Sequence, residues 1–417
     1  MSILTTATRM WLTRSLKPFV FKNEYDNVLP YADAKRLGLY IHIPFCKSIC
    51  PFCPYCKEKY VKERCQDYVD HLISEIQLVG NQYDGKKLAT SLYFGGGTPA
   101  LAIDRLEEIV DAVNEHFVIT EGIGLELHPD NVTPENLAKL KKAGVTKISI
   151  GIQSFQSGLL KTLGRGETDF ERVFKALKDT KFETVSMDFI FALPGQTFEN
   201  LKSDIETAFS NGANHVAIYP FIDFTFTESD IAPMSKKEKR KLLDKITMHC
   251  QSKGYGRDSI WTFSKDPSAR YSSMTRDNFL GFGCSATSLL RGQFKINTFS
   301  VDEYSKRIRQ GLMPTSLSIR FTERQRMIYY LFWTAYSTKI DSVDFESFFG
   351  EKLKNKYGFE LWAAKKLDFV TEEKGTFQMT LKGAFYYHYY ENYYTLSYID
   401  KMWGIMRREA FPDGISL

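Results

Sequence analysis

The chain has 417 residues, 43% hydrophobic and 25% charged, so it can bury a large core and divide into two or three domains. Its net charge of +5 is small at this length and excludes the basic footprint of a nucleic-acid-binding protein. No window approaches the ~18 uninterrupted apolar residues of a membrane span.

Residues 1–37 read as an N-terminal extension. Its first residues carry no long apolar core, against a secretory signal, and their Thr-rich, acid-free character has a slight likeness to an organelle transit peptide. From Gly38 to Tyr219 short β-type runs alternate with longer amphipathic patterns. The runs are Leu39–Ile43, Leu92–Phe94, Gly124–Leu127, Lys147–Ile150, Val185–Ile190 and His215–Tyr219. Helical patterns fall near Cys65–Val79, Asp104–His116, Pro134–Lys142, Asp169–Asp179 and Phe198–Phe209. Thr133 is a ready N-cap with Pro134 at the first helical position. Such alternation predicts an α/β fold of parallel strands, a closed or partial barrel.

After Pro220 the composition changes. Ser235-Lys-Lys-Glu-Lys-Arg-Lys reads as the solvated start of a helix rather than a binding patch. Residues 38–310 form the core and its trailing segment, and 311–417 a helical, aromatic-rich C-terminal domain. In that domain Thr322-Glu-Arg-Gln325 has the capping-box pattern.

Seven cysteines are present, and four of them, Cys46, Cys50, Cys53 and Cys56, lie in one short segment. That distribution suits a reducing compartment, the cytoplasm, and a metal site rather than a disulfide framework. As a zinc site the segment lacks a second, separated CxxC unit. As a ferredoxin it lacks the following x3-Cys-Pro. Cys46-x3-Cys50-x2-Cys53 is complete as three thiolates for a four-iron cube with one iron left open. Polar and glycine-rich motifs also follow the other strands: Gly95-Gly-Gly-Thr-Pro99, His128-Pro-Asp-Asn131, Gly151-Ile-Gln153 and Tyr219-Pro220. In parallel αβ barrels the loops after the strands converge on one rim, where chemistry is done. Glu126, Gln153 and Asp188 sit inside apolar strands, where an unpaired polar group is costly, so a functional role is favoured for them.

Taken together these motifs resemble the radical S-adenosylmethionine (SAM) superfamily, in the branch of oxygen-independent coproporphyrinogen III oxidases, haem chaperones and related methyltransferases. The resemblance runs from Leu39 to about Tyr304. It rests on Tyr40-Ile-His-Ile-Pro-Phe-Cys46, the CxxxCxxC loop, Phe94-Gly-Gly-Gly-Thr-Pro99, Gly151-Ile-Gln-Ser-Phe155, Asp188-Phe-Ile-Phe-Ala-Leu-Pro-Gly-Gln-Thr197 and Leu280-Gly-Phe-Gly-Cys-Ser-Ala-Thr-Ser288. It implies a partial (β/α)6 barrel and a [4Fe-4S] cluster on Cys46, Cys50 and Cys53. It assigns SAM contacts to Tyr40, Phe52, Gly96, Gly97, Thr98, Glu126, Gln153, Arg165 and Asp188, with Pro220 and Thr287 as weaker candidates. The implied activity is an oxidoreductase of porphyrin biosynthesis that makes a 5′-deoxyadenosyl radical and acts on a tetrapyrrole. Its electron donor would be a flavodoxin or ferredoxin. A methyltransferase or cyclopropanase with a second SAM, and a haem chaperone, are the alternatives.

The sequence departs from the branch in places. Cys53-Pro-Tyr-Cys56 has one residue more than the oxidases' Cys-x-Cys, which makes Cys56 a spare, packed or cluster-edge thiol. Gly166-Glu167 follows Arg165 where relatives often carry His. Arg270–Asn278 lacks the histidine of the chaperones. In the aromatic stretch Ala384–Tyr394, His388 reads as a packed residue of an aromatic helix rather than an axial ligand.

Overall fold

A computed structural model describes residues 3–266 and 277–417; the Arg270–Arg276 part of the stretch compared with the chaperones lies outside the described residues. Six parallel strands form its centre: β1 (Leu37–Ile43), β2 (Leu92–Gly96), β3 (Ile123–Leu127), β4 (Val145–Gln153), β5 (Thr184–Phe191) and β6 (His215–Pro220). They lie side by side in chain order, each joined to the next by a connection that carries helix. A seventh strand, β7 (Asn278–Phe282), runs parallel to β1 on its outer side. Antiparallel strands continue the sheet beyond both ends to fourteen among the described residues, in which the arc stays open rather than closing into a barrel.

The strands read as apolar runs because both of their faces are covered. Ile41, Phe94, Leu125, Ile148 and Met187 are fully buried. One face packs against the connecting helices. In the helix Lys62–Gly80, Cys65, Tyr68, Val69, Leu72, Ile76 and Val79 are buried at helical spacing. Thr133 accepts the amide of Asn136 and starts the helix Pro134–Lys142 at the expected residue. Ser235 and Glu238 make a reciprocal cap on Lys236–Ser252, which fits a solvated helix start.

The first 37 residues contribute structure of their own. Ile3–Thr13 is a helix, and Val20–Lys22 pairs with both Thr315–Arg320 and Gly414–Ser416 at the edge of the main sheet. The C-terminal region is helical, opening on the Thr322/Gln325 capping box. It also holds a three-stranded antiparallel sheet of Lys339–Asp341, Thr376–Met379 and Val370–Glu373. A small core of Met327, Tyr330, Phe345, Leu353, Tyr357 and Phe377 stabilises it.

One polar knot joins β7 to the core. Glu75, 1% exposed, accepts from the Gly283 amide at 2.6 Å, the Tyr304 hydroxyl at 2.7 Å and the Asn297 amide at 3.1 Å. Burial pushes its carboxyl up to about 7 from 4.5 despite those donors. A folded-state pKa above the unfolded one means folding favours the protonated form. That stability is complete below about 4.5 and is lost as pH rises through about 7. Glu75→Gln is therefore expected to flatten the decline of unfolding free energy measured by denaturant titration from pH 5.5 to 8, by up to about 1.4 kcal/mol per pH unit.

Candidate active site

Gly96 and Gly97 close the carboxyl end of β2 and let two loops touch. The Gly97 amide donates to Ile43 O and the Thr98 amide to Phe45 O, both at 2.8 Å. A Cβ on Gly97 would lie 2.6 Å from Phe45 O, and one on Gly96, whose φ is +123°, 2.7 Å from Ile43 O. Only glycine permits that approach. It sets the glycine loop beside the cysteine loop, and the Thr98 hydroxyl lies 3.8 Å from Cys46 Sγ.

Both loops open on one cavity of about 1110 Å³, bounded by the strand ends and by the C-terminal helices. Cys46, Cys50 and Cys53 line it, and all three are free and half-buried. Burial pushes the Cys46 thiol up to about 11, the Thr98 hydroxyl opposing and the neighbouring Cys53 and Cys50 adding to the rise. Three free thiols on the wall of one cavity are the soft anionic donors that iron–sulfur clusters take, so the set fits an iron cluster by its chemistry.

The other expected contacts divide. Phe52, Gly96, Gly97, Thr98, Glu126, Gln153, Arg165, Asp188 and Pro220 line the same cavity. Tyr40 and Thr287 do not. Tyr40 has its hydroxyl 3.1 Å from His42 Nδ1 and its ring stacked on Tyr93, which does line the cavity. Thr287 begins the strand Thr287–Leu290, which pairs with β7.

The polar wall follows the pleat. Ser149, Gly151 and Gln153 alternate along β4, as do Ser186, Asp188 and Ile190 along β5, with Glu126 facing Ser149 in register. Glu126 takes the Tyr93 hydroxyl at 2.9 Å and the Gly96 amide. Asp188 takes the hydroxyls of Ser149 at 2.7 Å and Ser186 at 3.0 Å. Burial still pushes Glu126 up to about 7, with Asp188 repelling it, and Asp188 up to about 6. Gln153, at φ +70°, holds a left-handed backbone that a non-glycine residue adopts at a cost, which ends β4 and turns the chain at the cavity wall. Arg165 reaches back to Gly151 O at 3.4 Å.

Sequence reasoning missed Tyr93 and Ser149, which the alternation of β2 and β4 could have given. It also missed Tyr55, inside the cysteine segment, Glu391 and Tyr394, inside the aromatic stretch, and Trp333 and Trp403, which carry no motif. His388, by contrast, is a core residue: 3% exposed, it accepts the Trp261 indole N–H at 3.1 Å.

Among the described residues, one His/Cys group has its ligand atoms close enough together to share a single metal ion, and it lies away from the cavity lining. The ligand atoms of His42, Cys56 and Cys284 are all buried and within 4.8 Å of one another. His42 Nε2 is 3.0 Å from the Cys56 carbonyl oxygen and so carries the proton, and the Cys56 thiol donates to Phe299 O at 3.2 Å. None of the three lines the cavity.

An open parallel arc with a three-cysteine loop at its rim defines a radical SAM protein. Residues 40–208 match the model of the radical SAM superfamily, so the chain carries a radical SAM domain with the fold of an oxidoreductase enzyme of that superfamily, and it is similar to coproporphyrinogen III oxidases and haem chaperones. The haem chaperone HemW of Bacillus subtilis is 28% identical over 292 residues, 66% of this chain and 76% of that protein. The oxygen-independent coproporphyrinogen III oxidase of Helicobacter pylori is 25% identical over 410 residues, covering 89% and 87%. The solved coproporphyrinogen III oxidase (HemN) from Escherichia coli has the same fold, with a TM-score of 0.75 over 91% of this chain and 96% of that one at 20% identity.

The glycine contact makes a sharp prediction. Gly97→Ala is expected to cost about 2–3 kcal/mol in denaturant unfolding and to lower the iron retained on anaerobic reconstitution. Gly166→Ala, at a cavity-lining glycine with nothing within 4 Å of the added methyl, is expected to change neither.

Proposed function

We propose that Cys46, Cys50 and Cys53 hold a [4Fe-4S] cluster whose fourth iron binds SAM, and that the protein acts on a tetrapyrrole as the coproporphyrinogen III oxidases do. The observation that carries the reading is one cavity lined at once by three free thiols, the glycine loop and two buried carboxylates. A cluster bound there would supply the one electron for reductive cleavage of SAM into methionine and a 5′-deoxyadenosyl radical.

The protein's own groups do the positioning. Gly96 and Gly97 leave room for the methionine end of SAM. Glu126 and Asp188, where ionised, accept from the ribose hydroxyls and attract the sulfonium. Gln153 and Arg165 offer further donors, and Phe52 an apolar face. The volume exceeds the ~300–1,000 Å³ of an ordinary ligand site, which leaves space for a substrate beside SAM. Tyr55, Trp333, Tyr336 and Trp403 give that space the flat apolar faces a tetrapyrrole needs. The reducing equivalent would come from a flavodoxin or ferredoxin. The free cysteines agree with a cytoplasmic setting, and among the described residues no helix is long and apolar enough to cross a membrane.

The likeness to a haem chaperone favours a second reading, in which a haem is carried and no substrate is turned over. Incubation with dithionite and SAM separates them: 5′-deoxyadenosine, found by mass spectrometry, supports the enzyme, and a Soret band without SAM cleavage supports the chaperone.

At the cluster, Cys46→Ala, Cys50→Ala and Cys53→Ala are each expected to abolish the charge-transfer absorbance of the reconstituted protein and SAM cleavage. Cys56→Ala, outside the cavity, is expected to retain the absorbance. SAM affinity, measured by anaerobic equilibrium dialysis, is expected to fall as pH drops from 8 to 5. The loss, about tenfold, should follow protonation of Glu126 near 7 and then Asp188 near 6. Glu126→Gln should remove the part near 7.

A further inference from the structure

An imidazole and two thiols meet outside the cavity. His42 follows Ile41 in β1, Cys284 lies just past Phe282 at the end of β7, and Ile41 and Phe282 are partners in register. Cys56 arrives from the far end of the cysteine segment, just before the strand Glu58–Lys59. The three residues are 4%, 0% and 6% exposed, in that order, and their ligand atoms all lie within 4.8 Å of one another.

Distance narrows what the group suits. Cys56 Sγ is 3.8 Å from Cys284 Sγ. Zinc binds thiolate sulfur at about 2.3 Å, so two sulfurs on one tetrahedral zinc stand about 3.8 Å apart. The sulfur–nitrogen edge is about 3.6 Å, which the imidazole reaches from within 4.8 Å by a shift of at most about 1.2 Å. Two packed thiols would lie as close, but packing does not call for an imidazole and two carbonyls turned onto them. Phe299 O is 3.2 Å from Cys56 Sγ, and Cys56 O is 3.0 Å from His42 Nε2.

The surroundings hold the ligand residues in place. Tyr68, on the helix Lys62–Gly80, accepts the Cys284 amide at 2.9 Å and donates to His42 O at 2.8 Å, so one hydroxyl sets two of them. The Tyr40 hydroxyl is 3.1 Å from His42 Nδ1, the outer partner that an imidazole bound through Nε2 requires.

We propose that His42, Cys56 and Cys284 hold a structural zinc ion, separate from the three-cysteine loop, with one of the two carbonyl oxygens as fourth ligand. Binding releases both thiol protons to solvent and moves the imidazole proton from Nε2 to Nδ1, where the Tyr40 hydroxyl accepts it. A dication with two thiolates is neutral, so it can be buried among apolar groups, and the carbonyls exchange a proton donor for the metal. None of the three residues lines the cavity, so the ion serves the fold: it ties the end of the cysteine segment to β1 and β7. The separated ligands that the cysteine segment lacks for zinc are thus supplied from elsewhere in the chain. The inference stands apart from the tetrapyrrole reading.

The test takes the full-length protein with its iron–sulfur site filled by anaerobic reconstitution, dialyses it against zinc, and reads metal content and the zinc K-edge X-ray absorption. One zinc per chain is expected beside the cluster iron, with two sulfurs at about 2.3 Å and two nitrogen or oxygen neighbours at about 2.0–2.1 Å. Cys284→Ala is expected to lose the zinc and keep the iron. The triple variant Cys46→Ala, Cys50→Ala, Cys53→Ala is expected to lose the iron and keep the zinc. No retained zinc in wild type, or a zinc with three or more sulfurs or with none, overturns the inference. So does zinc that survives Cys284→Ala or disappears in the triple variant, since either places it elsewhere. A Cys56–Cys284 disulfide in peptides of the anaerobically purified protein overturns it as well. Should the variants fail to fold, the sulfur count of the wild-type zinc decides.

Discussion

The site depends on one backbone contact. The amides of Gly97 and Thr98 reach the carbonyls of Ile43 and Phe45, and those bonds lock the glycine loop of β2 onto the segment leading into the cysteines. No side chain fits between them. The loop Cys46–Cys53 contains little regular structure of its own, so this clamp and the pairing of Phe45–Cys46 with Glu58–Lys59 hold its two ends. A cysteine loop held at both ends can present three sulfurs on one side, and a loop free at either end could not.

The second constraint is electrostatic. Glu126 and Asp188 stand on the same, cavity-lining face of an apolar sheet, each raised above its ordinary pKa by burial. Hydroxyls of Tyr93, Ser149 and Ser186 meet part of that cost. The remainder is relieved by a cationic ligand with donor groups, which is the character of a sulfonium nucleoside. Buried carboxylates of this kind weaken the fold near neutral pH and strengthen binding there, a trade found where a site is held ready for its ligand.

Much of this was legible in the chain. The six parallel strands followed from alternating apolar runs and amphipathic segments, and the helix at Pro134–Lys142 fell where its cap and proline put it. Local rules suffice for such elements because their signals are local. The cysteine loop, Glu126, Gln153 and Asp188 were legible for a different reason: polar residues in apolar strands are conspicuous. The antiparallel strands that prolong the sheet were less visible. Val20–Lys22 meets Gly414–Ser416 across almost the entire chain, and so short a strand has no period to detect. The wall residues Trp333, Glu391 and Trp403 were hidden likewise, since aromatic helices read as core until packing shows which side is open. Tyr40 was named by motif and is stacked on Tyr93, a lining residue that the motif did not name.

The account turns on a cube held by three protein sulfurs with its fourth corner open to SAM. Mössbauer spectra of the anaerobically reconstituted, iron-57-enriched protein, recorded with and without SAM, test it most directly. The account predicts one iron in four whose isomer shift rises when SAM is added, while the other three are unchanged. Four equivalent irons indifferent to SAM would contradict it.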